Sequence, residues 1–460
     1  LTFLMKNIFK MLFVAMVAIV AFACTTDEPA SDGLQAPNFN LSVNDNAILV
    51  SWEPVTGAAY YEISLNNGEA ERTDKTVYRY EDLSYDTEYS VSLCSVSATE
   101  KSEVVTKKAT IGKRVVPAYR EWYPLNNASA TAISDNGRWV VGGYDRQGMI
   151  IDLNTDEVLM TENFEFADVA NDGTGVGSYF GDSMDGEAAL YINGKVVKID
   201  LSELTSSKMS NLSGITPDGE YVVGWWWEYD EESYYGSKYG MSVPFCYDVL
   251  KDRISIPEMG NTPYAIGAVS TTAVSPDRRI LGCEQSGVAM SVLWEDEYSG
   301  YSHILFDYDA SYNPIATFGD LSSRFSQDGN YICGIVKSYD FGESQQPAVY
   351  DCTTGEVITM AGAGSATCVT NDGIAFLNDV PYYLGTTSYV VDLKGDIEQQ
   401  TPIIDWLLDE HQVDLYNYIQ EGVITVAASA DGRTLVGITN TTSGWLTYVI
   451  NLDGAPMPEI

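Results

Sequence analysis

The chain alternates short apolar runs with polar turns, and one such unit recurs along its length. A small or hydroxyl residue leads into an Asp/Asn-Gly turn, and the apolar run that follows ends in Gly. One copy, Val274–Gly282, carries Arg278 at the Gly position of the turn. With it, seven copies can be counted, the others lying at Thr131–Gly143, Asn171–Gly177, Gly214–Gly224, Phe325–Gly334, Asn371–Phe376 and Ala428–Gly437.

The spacing of these copies predicts one small sheet per repeat. Successive turns are separated by 36 to 59 residues, a period typical of repeat architectures built from strands. Asp-Gly supplies the backbone conformation of a tight hairpin turn, and the Gly that closes each run indicates a close backbone approach, as near the axis of a radial array. Further apolar runs complete four strands per repeat. Sheets repeated in this way hide their edges best in a β-propeller, so we predict seven blades.

One end of the repeat array lacks a strand, and the other end has a strand candidate to spare. The last repeat lacks an outer strand, whereas residues 118–125 form an unpaired strand candidate before the first repeat. We expect this segment to complete the last blade of a propeller that spans 118–455, which leaves no open edge. A helical pattern at 401–411 interrupts the array, with Ile404 and Leu407 on one face, and we expect it to pack on the propeller rim.

Alternating strands of a different arrangement fill residues 36–110. Leu49–Ile63 and Leu83–Tyr89 resemble the fibronectin type III family, the second stretch matching that family's tyrosine corner. The resemblance implies an Ig-like β-sandwich, with Trp52 and Tyr61 in its core. It also favours a spacer role for this domain.

The repeats resemble the HAF-type repeats of extracellular proteins, which read roughly Ala-x-x-Ile-Ser/Asn-x-Asp/Asn-Gly-x-Val-Val-Gly. This resemblance implies an architecture and brings no catalytic residue with it. With residues 111–117 as a linker, the predicted fold class is all-β: an N-terminal Ig-like (fibronectin type III) β-sandwich followed by a seven-bladed β-propeller.

The N-terminal segment predicts export. Lys6 and Lys10 precede an apolar run, Met11–Phe22, that suits a signal peptide and is short for a membrane span. Ala21–Cys24 resembles the lipobox of bacterial lipoproteins. That implies a signal peptide of residues 1–23, an acylated Cys24 that anchors the protein to the membrane, and a tether over 24–35. Ordinary cleavage before a free Cys24 is the alternative.

Charge and cysteine usage narrow the choice of partners. The chain carries 25 Lys and Arg against 65 Asp and Glu residues, a formal net charge of −40. Such a surface repels nucleic acid phosphates and anionic headgroups, and leaves neutral glycans, proteins and divalent cations. The six cysteines besides Cys24 have no metal-binding spacing, and no cofactor is predicted.

Catalytic constellations are not recognisable in the sequence. The two histidines, His303 and His411, fall in unrelated patterns and assemble neither a triad nor a zinc site. Carboxylates are too abundant for any one pair to be informative, although a glycosidase would need two at a defined separation. We therefore predict a protein without enzymatic activity. A carboxylate-dependent glycan hydrolase or lyase with its site over the central channel is the least favoured alternative.

A run of aromatic and acidic residues follows the third turn, and similar loops occur in the next two repeats. Aromatic rings can stack on sugars while carboxylates accept hydroxyl hydrogens. The same mixture suits a protein interface, and packing over the propeller rim is a third account. We expect the three loops to lie close together. The candidate ligand-binding residues are Trp225, Trp226, Trp227, Tyr229, Tyr234, Tyr235, Tyr239, Trp294, Tyr298 and Tyr301.

Together these patterns predict an exported lipoprotein, anchored through Cys24 to the bacterial outer membrane or cell surface. Its expected role is non-catalytic binding, with carbohydrate as the leading ligand class. The alternative is a protein–protein interaction or adhesion platform that uses the same loops to hold an envelope protein.

Overall fold

A computed structural model describes most of the chain as two compact units, Leu1–Arg114 and Val115–Ile460. Secondary structure in the described residues is strand except for one α-helix, which confirms the all-β class. None of the helical structure described is long and apolar enough to cross a membrane. The described ranges are 33–44, 46–81, 83–122, 129–181, 185–230, 239–258, 268–285, 288–308, 314–319, 321–339, 344–378, 388–419, 423–441 and 444–457.

The first unit is a sandwich of two antiparallel sheets. One sheet has the strand order β1-β2-β5 and the other β4-β3-β6-β7. Its strands are β1 (Phe39–Asn44), β2 (Ala47–Trp52), β3 (Tyr60–Leu65), β4 (Glu71–Thr73), β5 (Val77–Tyr80), β6 (Thr87–Val96) and β7 (Val105–Ile111).

Inward-facing residues of both sheets form the sandwich core. Trp52 and Tyr61 are buried there with ring centroids 5.2 Å apart, edge to face. The Tyr89 hydroxyl accepts a hydrogen bond of 2.8 Å from the Ser84 backbone N–H, the arrangement of a tyrosine corner. Sheet order, core and corner together make this unit fibronectin type III-like.

The second unit forms seven sheets in its described part, here called blades 1 to 7 in chain order. A strand that precedes them, β8 (Tyr119–Trp122), joins the last blade. Blade 1 contains β9 (Ser129–Ile133), β10 (Trp139–Tyr144), β11 (Gln147–Asp152) and β12 (Glu157–Glu162); blade 2 contains β13 (Phe164–Val169), β14 (Gly175–Tyr179), β15 (Glu187–Ile192) and β16 (Lys195–Lys198); blade 3 contains β17 (Ser210–Ile215), β18 (Tyr221–Asp230), β19 (Tyr239–Asp248) and β20 (Arg253–Ser255); blade 4 contains β21 (Ala268–Val274), β22 (Ile280–Gln285), β23 (Ala289–Trp294) and β24 (Ser302–His303).

The remaining three blades vary the four-stranded pattern. Blade 5 has its first strand split in two and an additional edge strand, and blade 6 is followed by the helix. Blade 5 contains β25 (Phe306–Tyr308), β26 (Pro314–Phe318), β27 (Arg324–Phe325), β28 (Tyr331–Ser338), β29 (Ser344–Asp351) and β30 (Glu356–Thr359); blade 6 contains β31 (Ser365–Val369), β32 (Ile374–Asn378), β33 (Ser388–Asp392) and β34 (Thr401–Pro402), followed by α1 (Ile403–His411); blade 7 contains β35 (Val423–Ala428), β36 (Thr434–Thr441) and β37 (Gly444–Asn451).

The ring closes through β8. This strand pairs antiparallel with β37, in the register Tyr119↔Ile450 and Trp122↔Thr447. The sheet order β35-β36-β37-β8 therefore holds both ends of the propeller sequence in one blade. The outer edge of β37 is covered, which removes a surface for edge-to-edge association.

The recurring Asp/Asn-Gly turns lie at one end of the propeller, here called the turn face, and among the described residues hydrogen bonds link six of the seven neighbouring pairs of turns. In blade 3, for example, the Thr216 hydroxyl donates to Asp218 (2.6 Å) and Gly219 adopts φ = 76°. Arg278 takes the same left-handed conformation in blade 4, with φ = 69°. Hydrogen bonds link the turns of neighbouring blades, running from Asn136 to Asn171, Asn171 to Pro217, Arg279 to Gly329, Asp328 to Asn371, Asn371 to Ala430 and Ala430 to Asp135.

The glycine after each apolar run has a local cause that the sequence did not reveal. In six blades the first strand carries a β-bulge opposite the second strand. The bulge brings the first strand's backbone against the glycine: a Cβ on Gly142 would overlap the Ser129 carbonyl, and one on Gly437 would overlap that of Ile424. The close approach is thus to the neighbouring strand rather than to the propeller axis.

The helix α1 is packed into the core between the last two blades. Its buried residues Ile403 and Leu407 belong to one hydrophobic cluster with Val390 and Phe376 of blade 6 and Leu435 of blade 7. The cluster explains the apolar face seen in the sequence. The opposite face of α1 remains at the surface, where it borders a groove on the turn face.

Candidate ligand-binding site

The three consecutive tryptophans of blade 3 lie on β18 and do not share a face. Trp226 is only 3% exposed; it packs against Phe245 with centroids 5.8 Å apart and donates from Nε1 to Glu228 (3.1 Å). Trp225 and Trp227 point to the other side of the strand and are half-buried. Trp226 is therefore a core residue, and its assignment as a ligand-binding residue is corrected.

The tyrosines predicted beside these tryptophans are only partly described. The backbones of Tyr229 and Tyr239 extend the β18–β19 ladder, pairing with Gly240 and Asp230 respectively. Their side chains, and all of Tyr234 and Tyr235, lie outside the described residues. So do Cys24 and residues 340–343 of the third acidic-aromatic loop.

Blade 4 places two of its three predicted aromatic residues in the interior. Trp294 has no exposed surface and Tyr301 is 6% exposed, because both pack between blades 3 and 4. Their polar atoms are used internally: Trp294 Nε1 donates to the Glu258 carbonyl (2.9 Å), and the Tyr301 hydroxyl donates to buried Glu284 (3.0 Å). Both assignments to ligand binding are corrected. Tyr298 remains 69% exposed.

The loop that carries Tyr298 is tied down to blade 3. Arg253 forms an ion pair of 2.7 Å with Glu297, whose carboxylate also accepts from the Ser255 hydroxyl. Burial alone would raise the pKa of Glu297. The hydrogen bonds and the charge of the Arg253 guanidinium outweigh burial and lower this pKa to about 2. The Glu297 carboxylate is thus committed to an internal contact.

The aromatic loops of blades 3 and 4 are not neighbours in the way the sequence suggested. One joins the second and third strands of its blade, whereas the other joins the third and fourth. Because successive antiparallel strands run in opposite directions, these connections lie at opposite ends of the propeller. The expected grouping of all three loops is therefore wrong for the blade 4 loop, whereas the loops of blades 3 and 5 both join second and third strands.

The cavity along the propeller axis is lined by the first strands of all seven blades. Its free space is about 90 Å³, room for only a few water molecules. At the turn face, Gln327 of blade 5 reaches across and donates to the carbonyls of Ile133 in blade 1 and Ala428 in blade 7, both at 3.1 Å. A sugar ring does not fit into this described part of the channel.

Two carboxyl groups in the channel wall have raised pKa values. Burial, together with the nearby charges of Asp168 and Asp328, raises the pKa of Asp135 to about 7. Burial raises that of Asp168 to about 6, against the lowering effect of two backbone N–H donors and of Arg324 across the channel. These groups are poised to titrate near neutral pH, but the space beside them is too small for a sugar ring.

A larger cavity, of about 570 Å³, opens on the turn face between blade 6, blade 7 and α1. This volume falls within the range of ligand pockets in proteins. We call it the α1 groove. The residues that give it its chemistry are Asp372, Asp392, Asp396, Gln399, Trp406, Glu410, His411, Asp431 and Arg433.

The aromatic wall of the α1 groove comes from one face of the helix. Trp406 is half-buried, edge to face with Phe376 (5.7 Å) and with His411 (4.4 Å). Burial and the Arg433 charge lower the pKa of His411, which favours its neutral form. Neither ring hydrogen-bonds to another residue in the described part of the chain. The indole and imidazole N–H groups are therefore available to a ligand.

Sequence reasoning missed this groove because its residues come from four separated stretches. Asp372 and Asp431 belong to turns of the repeat, and Trp406 lies on the helix. Asp392 ends the third strand of blade 6, and Asp396 and Gln399 follow that strand. Only the helix itself gave a signal. The helix interrupts the repeat and carries Trp406. An insertion of this kind, which the blade architecture does not require, is a candidate location for a binding site.

Comparisons with known proteins match parts of the chain to solved structures. No family model and no curated protein matches the chain. A solved fibronectin type III structure, FN3tt mut, is 31% identical over 17% of this chain and 100% of its own, with a TM-score of 0.16. The extracellular domain of a candidate one component system from B. thetaiotaomicron matches 72% of this chain at 11% identity and a TM-score of 0.40. A prolyl endopeptidase structure matches 88% of this chain at 10% identity, with a TM-score of 0.42. The matched part of this chain spans only 39% of the length of the extracellular domain and 54% of the length of the prolyl endopeptidase.

Proposed function

We propose that the protein is an exported, lipid-anchored and non-catalytic binding protein of the cell envelope, and that it binds carbohydrate in the α1 groove. The observation that carries this proposal is the groove itself. It combines a half-exposed indole with carboxylates and an amide in a cavity large enough for a short saccharide.

Each part of the groove suits a polyhydroxylated ligand. The apolar C–H face of a sugar stacks on an aromatic ring such as Trp406. The carboxylates of Asp392 and Asp396 and the amide of Gln399 offer acceptors and donors to hydroxyl groups around that ring. Small-molecule sites usually combine an aromatic or apolar wall with a few polar groups that fix the orientation of the ligand.

A binding role is supported over catalysis by how the acidic residues are held. Asp372 and Asp431 each accept a hydrogen bond from the hydroxyl residue of their own turn, Thr370 and Ser429. They are part of the repeat that builds every blade, so their presence does not require a catalytic role. The channel carboxyl groups, which do have raised pKa values, face a space too small for a glycan.

The segments that precede the propeller in the sequence support a location at the cell envelope. The lipobox-like Ala21–Cys24 supports export and acylation, and the fibronectin type III-like unit that follows would hold the propeller away from the membrane. The charge of −40 suits neutral or cationic ligands at such a surface.

The test is retention of the lipid-free chain, with Cys24 replaced by Ser, on plant, mucin and microbial polysaccharides. We expect one class to retain the protein without release of reducing ends, and Gln399→Ala to abolish retention with little change in melting temperature. Trp406→Ala should also abolish retention, with some loss of stability because its ring packs on Phe376. Asp409→Asn, on the exposed side of α1, is the matched control. Loss with Trp227→Ala instead would move the site to blade 3. If no polysaccharide binds, the carbohydrate proposal fails and an envelope protein becomes the partner to seek.

A further inference from the structure

The α1 groove carries more negative charge than a neutral sugar requires. We infer that its ligand is an amino sugar with a free, protonated amine; this rests on the carbohydrate-binding function proposed above. The inference comes from three features of the groove. Its carboxylates are oriented by hydrogen bonds, they form no ion pair with a described lysine or arginine, and the aromatic ring of Trp406 lies beside them.

Four aspartates of the groove share one arrangement. Each has Oδ1 fixed by a hydrogen bond within its own turn, and each leaves Oδ2 without a partner in the described part of the chain. The carboxylates are therefore oriented before a ligand arrives, with one oxygen still able to accept. The donors to Oδ1 are the hydroxyl of Thr370 for Asp372 and the backbone N–H groups of Lys394 for Asp392, Glu398 for Asp396 and Arg433 for Asp431.

No lysine or arginine of the described chain lies within ion-pair distance of these four carboxylates. Arg433, which borders the groove, pairs at 3.6 Å with Asp453 in a different turn of blade 7. Lys394 also stands beside the groove but donates only its backbone N–H to Asp392. The negative charge is left for something outside the protein to balance.

Equivalent positions elsewhere in the propeller differ in whether a neighbouring cation pairs with the aspartate. The aspartate that ends the third strand is paired in blade 1, where Arg138 lies 2.8 Å from Asp152, and Lys251 stands 2.7 Å from the equivalent Asp248 in blade 3. Asp392 occupies the same position in blade 6 without a cation. Asp351, at the same position in blade 5, also forms no ion pair with a described lysine or arginine, so Asp392 differs from the aspartates of blades 1 and 3 and resembles that of blade 5.

A protonated amine on a sugar meets all three features. An ammonium group donates three hydrogen bonds, which suits several oriented carboxylate oxygens better than one hydroxyl does. The Trp406 ring can stack on the sugar and attract the neighbouring cation. Acidic walls around a cavity also concentrate cationic ligands from solution.

The test compares the β-1,4-linked tetramers of glucosamine and of N-acetylglucosamine, which share the same sugar backbone and carry a protonated amine or a neutral acetamide, respectively, on each ring. Calorimetric titration of the lipid-free chain is done at about pH 6, where the amine is protonated. We expect the glucosamine tetramer to bind at least about tenfold more tightly, and its advantage to shrink as salt is added.

Asp392→Asn is the decisive variant. Its amide oxygen can keep the hydrogen bond from the Lys394 N–H, so the turn is preserved while the charge is lost. We expect the affinity for the glucosamine tetramer to fall to that for the acetylated one, and Asp409→Asn to change nothing.

Equal affinity for both tetramers would overturn the amine inference and leave carbohydrate binding standing. So would binding that EDTA abolishes, since a metal ion would then supply the cation. If neither tetramer nor any polysaccharide of the panel binds, the proposed function itself fails.

Discussion

The carboxyl group of Asp135 gives the stability of the propeller a defined pH dependence. Its pKa is raised from the ordinary 3.8 to about 7 by burial and by two neighbouring aspartates. Because the folded state holds this proton more tightly than the unfolded chain, the group costs nothing below about pH 4 and its cost grows as the pH rises to about 7. Above that pH, both states are ionised and the cost is constant.

Asp135→Asn should remove this cost. The full difference in pKa corresponds to roughly 4 kcal/mol, and partial exposure of the side chain to solvent reduces it to the order of 2 kcal/mol. Unfolding entropy for a unit of about 350 residues converts 2 kcal/mol into about 3 °C in melting temperature. Asn fits the turn, since Asn171 occupies the equivalent position in blade 2.

The assay is thermal unfolding of both proteins from pH 4 to pH 8, with Asp409→Asn as a control on the propeller surface. We expect the melting temperatures of wild type and Asp135→Asn to coincide at pH 4 and to separate progressively, with the variant about 3 °C higher at pH 8. A constant difference across this range, or a variant less stable at pH 8, would refute the buried and partly protonated state of Asp135.

Four further substitutions test the packing. Trp226→Ala should lower the free energy of unfolding of the propeller by about 3–5 kcal/mol, whereas half-buried Trp227→Ala should cost clearly less; equal losses in a denaturant titration would contradict their assignment to opposite faces. Gly437→Ala should destabilise blade 7 by more than about 1 kcal/mol because its Cβ meets the Ile424 carbonyl, and unchanged melting would refute the tight bulge. Tyr89→Phe should cost the first unit about 1–2 kcal/mol through the lost Ser84 hydrogen bond, visible as a lower denaturation midpoint of that unit.

The fold could be predicted because its determinants are local in sequence. Most turns carry a hydroxyl, a carboxylate and a positive-φ residue within four positions, so each blade can be recognised from its own short segment. The tyrosine corner likewise needs only Ser84 and Tyr89, five residues apart. The all-β class, with a fibronectin type III-like sandwich and seven blades, follows from such short patterns.

The site could not be predicted in the same way, because burial is decided between blades. Trp226 and Trp227 are adjacent and chemically identical, and only the neighbouring blade buries the first. Trp294 appears in the sequence as part of an acidic surface loop, yet blade 3 covers it completely. The α1 groove is lined by residues as distant in sequence as Asp372 and Arg433, which no short motif encodes.

The most direct test of the central proposal is to map where a carbohydrate binds. Hydrogen–deuterium exchange of the lipid-free chain would be measured with and without the oligosaccharide that binds most tightly. Protection should appear in the segment from Asp396 to His411 and in the turn around Asp431, with no change along β18 and β19. Protection confined to β18 and β19, or none at all at saturating ligand, would contradict a carbohydrate site in the α1 groove.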